Sequence, residues 1–176
     1  MHQSRKMLDA LRQRTLIIGN SGSGKSTLAR ALAARLGIRA IDLDPLHWED
    51  HVGTKRDEAA ARQLVLAEAA APHWIIEGVY GWLAAVAMPR ATALVWLDMP
   101  WTVCRAGLLE RGPWKEVNEA GFAEFLAWAE AYWGRPTSTS FEGHRRLFDD
   151  FAGAKARLQS RAEAAEVLAR LDGLSR

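Results

Sequence analysis

Apolar residues recur along this chain in two rhythms. Short runs rich in β-branched and aromatic residues at 15–18, 38–42, 73–77 and 92–98 predict strands, and the last is apolar enough for a sheet buried on both faces. Between them the spacing changes to three and four. Residues 27–36, 56–70, 80–88 and 100–110 read as helices, bounded by Gly37, Pro72, Pro89 and the break Arg111-Gly112-Pro113. Pro45 is expected to end regular structure after the second strand. Residues 122–133 and 143–151 predict two further helices around a polar loop at 134–140. A fifth strand is expected at 154–159, and Ser160-Arg161-Ala162-Glu163 is a capping box that opens the last helix. Strand and helix alternate, which predicts an α/β fold with a parallel sheet.

The first strand runs into Gly19-Asn20-Ser21-Gly22-Ser23-Gly24-Lys25-Ser26, followed by Thr27 and a helix. Strand, glycine loop and helix in this order form a phosphate-binding P-loop. Its glycines let successive backbone N–H groups face bound oxygens, and the new helix points its positive end at the same anion. Lys25 is expected to reach the β- and γ-phosphates and Ser26 to hold Mg²⁺.

Magnesium at such a site needs carboxylates from neighbouring strand ends, the edge where ligands bind in open α/β folds. Asp42 and Asp44 leave the second strand, Glu77 ends the third, and Asp98 ends the fourth, where it could simply cap the next helix. Asp42 and Glu77 are expected as metal partners and Asp44 as a catalytic or acceptor-binding acid. Two aromatics follow in Asp44-Pro45-Leu46-His47-Trp48. Either Trp48 stacks on a ring and His47 hydrogen-bonds an acceptor, or Trp48 plugs the core and His47 is exposed.

Bulk properties narrow the picture. The 176 residues suit one domain with a proper core, and 49% hydrophobic with 25% charged residues is ordinary for a globular chain. A net charge of +2 with acids and bases interspersed argues against a nucleic-acid surface. No apolar run approaches a bilayer span, and residues 1–14, a leader or short helix, lack the apolar stretch of a secretory signal. The single cysteine, Cys104, excludes an internal disulfide, reads as a small apolar helix residue and fits a cytoplasmic location. Eight tryptophans are many for this length. Trp114, Trp128 and Trp133 fall together, as an aromatic wall or, more in keeping with such sets, as the core of a helical lid.

These motifs in this order resemble the small P-loop kinases related to adenylate kinase, and among them the bacterial topology modulation (FlaR-like) group. The resemblance rests on residues 19–27, on Asp42-Leu43-Asp44-Pro45-Leu46-His47-Trp48, on Trp74-Ile75-Ile76-Glu77-Gly78-Val79-Tyr80, on Leu94-Val95-Trp96-Leu97-Asp98-Met99-Pro100 and on His144-Arg145-Arg146-Leu147-Phe148. It implies a P-loop NTPase three-layer α/β/α sandwich with five parallel strands, like the nucleoside monophosphate kinases, in one domain spanning 1–176. It also implies an acceptor-binding segment at 45–71, a helical lid at 110–140, and the cofactors ATP and Mg²⁺. The chain departs from adenylate kinase where Gly78 is followed by Val79-Tyr80 instead of Pro-Arg. It lacks the triple glycine of shikimate kinases, although Asp42 and Asp44 match their paired acids.

The acceptor class decides which side chains the chemistry needs. A nucleoside monophosphate needs positive charge, whereas a hydroxyl needs a base. Asp44 could supply the base; Arg56, with His47, Trp48, Glu77 and Tyr80, is expected to contact the acceptor. Arg111 at the hinge and Arg105, one helical face away, are expected to stabilise the transferring phosphoryl group. The expected function is therefore a kinase moving the γ-phosphoryl of Mg-ATP to a nucleoside monophosphate or small metabolite, in a monomer or homodimer. The alternatives are an ATP-binding regulator with weak ATPase activity, associated with DNA, and a plain ATPase.

Overall fold

A computed structural model describes residues 2–50, 53–115 and 117–173, without the side chains of residues 2–4. In chain order the elements are α1 (His2–Leu11), β1 (Arg14–Gly19), α2 (Lys25–Leu36), β2 (Ala40–Asp42), α3 (Asp44–His47), α4 (Glu58–Ala69), β3 (Trp74–Gly78), α5 (Gly81–Ala87), β4 (Ala93–Leu97), α6 (Trp101–Arg111), α7 (Glu119–Glu130), α8 (Phe141–Asp150), β5 (Ala154–Leu158) and α9 (Arg161–Gly173). Short 3₁₀ turns at Met88–Arg90 and Ala131–Trp133 extend α5 and α7. The five strands form one parallel sheet in the order β2-β3-β1-β4-β5.

Strand alternation builds a core on each face of the sheet. Leu16, Ile18, Trp74, Ile76, Leu94 and Trp96 point to one side, against α4, α5 and α8. Ile17, Ile75, Val95 and Leu97 point to the other, against α1, α2 and α6. β1, β3 and β4 are therefore buried at nearly every position, as a sheet covered on both faces requires. Cys104 is fully buried among the second set, as its reading as an apolar residue anticipated.

Several boundaries differ from the sequence reading. Pro45 does not end structure: it occupies the first turn of α3, where a missing N–H costs nothing. Pro89 likewise lies inside the 3₁₀ turn after α5. β2 begins at Ala40, not residue 38, because Gly37 closes α2 in a left-handed conformation and Ile38 is still part of that turn. The helix expected at 122–133 begins three residues earlier, where Asn118 accepts a hydrogen bond from the Gly121 N–H. α8 begins at Phe141, before the expected Gly143, because Ser140 caps it through the Gly143 N–H.

Candidate active site at the carboxyl edge of the sheet

Parallel register aligns the strand ends. Asp42 lies opposite Glu77, and Gly19 opposite Leu97, so the acids and the P-loop open from one edge. Gly22 and Gly24 adopt φ of +76° and +97°. A side chain on Gly22 would strike the Cys104 carbonyl, and one on Gly24 would strike the Arg161 guanidinium. The loop is thus both left-handed and tightly enclosed, which only glycine tolerates. Lys25 is buried and its ammonium donates to the Asn20 carbonyl at 2.9 Å. The buried Ser23 hydroxyl, beside Gly19, has no hydrogen-bond partner among the described residues. Asn20 is anchored from outside the loop: its amide donates to the Ala129 carbonyl, while its oxygen accepts from the Ser21 N–H. Thr27 is exposed on the first turn of α2.

Around this nest the acids and bases act on one another. Asp44 sits at the rim, open to solvent yet walled by protein. Those walls and the neighbouring Asp42 carboxylate raise its pKa to about 6, against the pull of Lys25 and Arg111. Burial also raises Glu77, opposed by Lys25 and by a hydrogen bond from the Ser26 side chain. The Asp42 carboxylate accepts from the Asp44 N–H at 2.8 Å and so starts α3. Arg111, at the end of α6, feels both Asp44 and Asp42 and lies over the Trp114 ring at 4.6 Å. Ser26, Asp42 and Glu77 are hard oxygen donors of the kind Mg²⁺ takes, and Ser26 and Glu77 already touch. Among the described residues no set of three His, Cys, Asp or Glu is arranged to hold a metal. An ion here would depend on phosphate oxygens for the rest of its shell.

Beside the acids stands an aromatic box. His47 stacks on Tyr80 with ring centroids 3.9 Å apart, and Trp48 donates from its indole N–H to the Tyr80 hydroxyl at 2.8 Å. Trp82 closes an edge against His47. Burial and the charge of Lys55 push the His47 pKa down to about 4, so the ring is neutral. This reverses the second sequence alternative: His47 is buried and Trp48 is half-buried. Arg56 spends its guanidinium on the carbonyls of Pro45, Leu46 and Trp48, bracing the turn that carries Asp44 and His47. Arg105 is exposed on α6. Asp98 is paired with Arg157 at 2.6 Å and hydrogen-bonded by Gln159, so it is a structural acid of β4 and β5. Arg145 and Arg146 both bind Glu142 on α8. Of the lid tryptophans, Trp114 packs on Phe125, which stacks on Trp128, while Trp133 meets Trp101 and Tyr132; Trp114 and Trp133 remain partly exposed.

Two arginines escaped sequence reasoning. Arg161 donates to the Ser23 and Gly22 carbonyls at 2.6 and 3.1 Å, clamping the P-loop from the start of α9. The capping-box pattern around it already accounted for that position. Arg135 lies between α7 and α8, and its guanidinium stacks on Trp128 at 3.8 Å. Nothing in a polar loop beginning Gly134-Arg135-Pro136 signals such a place.

Comparison with known proteins fits this architecture. No protein-family model and no curated protein matches the chain. Solved structures do. A shikimate kinase from Bacteroides thetaiotaomicron is similar over 92% of this chain and 96% of its own, with a TM-score of 0.54 and 21% identity. A gluconokinase from Sinorhizobium meliloti covers 92% of both chains at a TM-score of 0.52 and 17% identity. A sugar kinase from a Janibacter species covers 90% of this chain and 91% of its own at 0.52 and 16%. The chain therefore has the α/β fold of the small P-loop kinases.

Proposed function

We propose that the protein is an ATP-dependent phosphotransferase whose acceptor is a hydroxyl-bearing small metabolite. The observation that carries this reading is the grouping of Lys25, Arg111 and the raised carboxyl of Asp44 at the mouth of a P-loop. A carboxylate with a pKa near 6 is ionised at neutral pH yet basic enough to accept a hydroxyl proton. The acceptor oxygen would attack the γ-phosphorus while the bond to the β,γ-bridging oxygen breaks, its proton passing to Asp44. Lys25 and Arg111 would balance charge on the transferring group. Ser26, Asp42 and Glu77 would hold Mg²⁺, which when bound neutralises charge on the β- and γ-phosphates. The shikimate, glucono- and sugar kinases of the same fold support a hydroxyl acceptor. The 110–140 segment would act as the lid and residues 45–71 as part of the acceptor site.

A nucleoside monophosphate is the second reading, favoured by the box of His47, Trp48, Tyr80 and Trp82, which offers ring faces to a base. One experiment separates the two. ADP formation from Mg-ATP is followed with sugars, hydroxy acids and nucleoside monophosphates. On the first reading Asp44→Asn lowers kcat by roughly 10²–10⁴ with a hydroxyl acceptor. On the second it spares turnover of the monophosphate. ADP release at one acceptor-independent rate throughout would overturn both.

A further inference from the structure

We propose that Arg135 is the recognition group for an anionic substituent, a carboxylate or a phosphate, on the small molecule that this site phosphorylates. The inference rests on the kinase reading and narrows its substrate class. All three guanidinium nitrogens of Arg135 are shut off from solvent, and none has a hydrogen-bond acceptor among the described residues. Buried polar groups are nearly always paired, and a buried charge without a partner is costly. Chains keep such a group where something else completes it.

The groups around Arg135 do not complete it. Trp128 covers one face of the guanidinium, a cation–π contact that leaves the N–H fork in the ring plane free. Tyr80, Tyr132 and His144 are its other electrostatic neighbours. Both phenols are held neutral by burial, and His144 is pushed down to about 3 and stays uncharged. Two acids line the cleft beside it: Glu142 is committed to Arg145 and Arg146, and Asp150 at the end of α8 makes no ion pair with Arg135. Arg135 forms no ion pair with any described residue. Yet it lines a cleft of about 440 Å³, together with Trp82, Ser138, Glu142 and Arg146. A planar fork with five donors matches a carboxylate or phosphate edge in a way an ammonium cannot.

Position links this subsite to the transfer site. The Tyr80 phenol feels the charges of both Asp44 and Arg135, so both lie within electrostatic reach of one ring. A small molecule with its anion on Arg135 and its hydroxyl toward Asp44 would lie across Tyr80 and the aromatic box. Charge at one end and a nucleophilic hydroxyl at the other would fix its orientation for in-line transfer.

The test uses the full chain and matched pairs differing only in charge: glycerate against glycerol, ribose 5-phosphate against ribose, and adenosine monophosphate against adenosine. Turnover with Mg-ATP and thermal shift without nucleotide are both read. Charged members are expected to be turned over at least ten-fold more efficiently than neutral ones, the carboxylate and phosphate pairs showing which anion is preferred. Arg135→Met, which keeps the stacked volume, is expected to raise the KM of the charged acceptor at least ten-fold, leave the KM for ATP within two-fold, and not lower the melting temperature. Arg135→Lys is expected to recover only part of the loss. Neutral and charged members handled alike, or Arg135→Met with an unchanged acceptor KM, would overturn the proposal. If no compound is turned over, the kinase reading falls and thermal shift still judges the subsite. Stabilisation of wild type and not of Arg135→Met by the charged members supports an anion site; equal shifts, or none in either protein, overturn it.

Discussion

Asp44 concentrates the pH dependence of this molecule in one side chain. Its pKa rises from 3.8 to about 6 on folding, so between those values the folded chain binds more protons than the unfolded one. Stability contributed by that proton is present at low pH, falls as pH rises through the window, and levels off above about 6. Activity runs the other way, because a proton acceptor must be ionised: kcat/KM is expected to rise through about pH 6 to a plateau. Profiles of kcat/KM and of urea midpoint from pH 4 to 8 check both slopes. Asp44→Asn should flatten the stability slope, and an unchanged slope in that variant would assign the titration to another group. Lys25, Asp42, Asp44 and Glu77 were legible from sequence because a motif and the ends of strands place them. Arg135 and Arg161 were not, since their roles arise from contacts across the chain that no spacing encodes. Arg105, six residues before Arg111 on α6, faces solvent.

At the scale of elements, the junction between α7 and α8 is seated on the core with little room to spare. A side chain on Gly81 or on Gly143 would meet the Ser138 carbonyl, so α5 and α8 grip that loop between two bare backbones. Buried His144 then ties three elements together. Its ring accepts from the Tyr132 hydroxyl at 2.7 Å and donates to the Val79 carbonyl at 2.9 Å, joining the end of α7 to the turn that carries Tyr80. Tyr132→Phe leaves the buried Nδ1 without its donor and should cost about 1–3 kcal/mol. Gly143→Ala, which must push the loop aside, should cost about 1–3 kcal/mol as overpacking. Urea denaturation measures both, and values near zero would mean that the loop is not held there. The strands of this architecture were readable from their apolar runs. The short helix α3 was not, because Pro45 reads as a breaker until its place in a first turn is known. The true start of α8 was hidden because Gly143 resembles a helix boundary while Ser140 makes the cap.

Over the whole molecule, the P-loop is where distant parts of the chain converge. α6 presses the Cys104 carbonyl against Gly22, α9 reaches back through Arg161, and α7 accepts from Asn20 at Ala129. Sheet order explains why: β1 lies at the centre, so the loop leaving it is overlooked by helices from the second half of the sequence. A ligand gripped by this loop therefore stabilises the fold as a unit. Binding to the folded chain alone, at one hundred times its Kd, adds about 2.7 kcal/mol. At roughly 2–4 °C per kcal/mol for a chain of this size, Mg-ATP is expected to raise the melting temperature by about 5–10 °C. Lys25→Ala loses the ammonium that must leave the Asn20 carbonyl for the phosphates, and its shift should fall below about 2 °C under the same conditions. Arg161→Ala is expected to lower the melting temperature of the free protein and to raise the Kd for ATP, because the loop loses its brace at Gly22 and Ser23. Calorimetry with Mg-ATP on the three proteins compares them directly. If Arg161→Ala binds ATP like the wild type, the clamp supports α9 alone, and the nest is held by its glycines and by α6 without help from the far end of the chain.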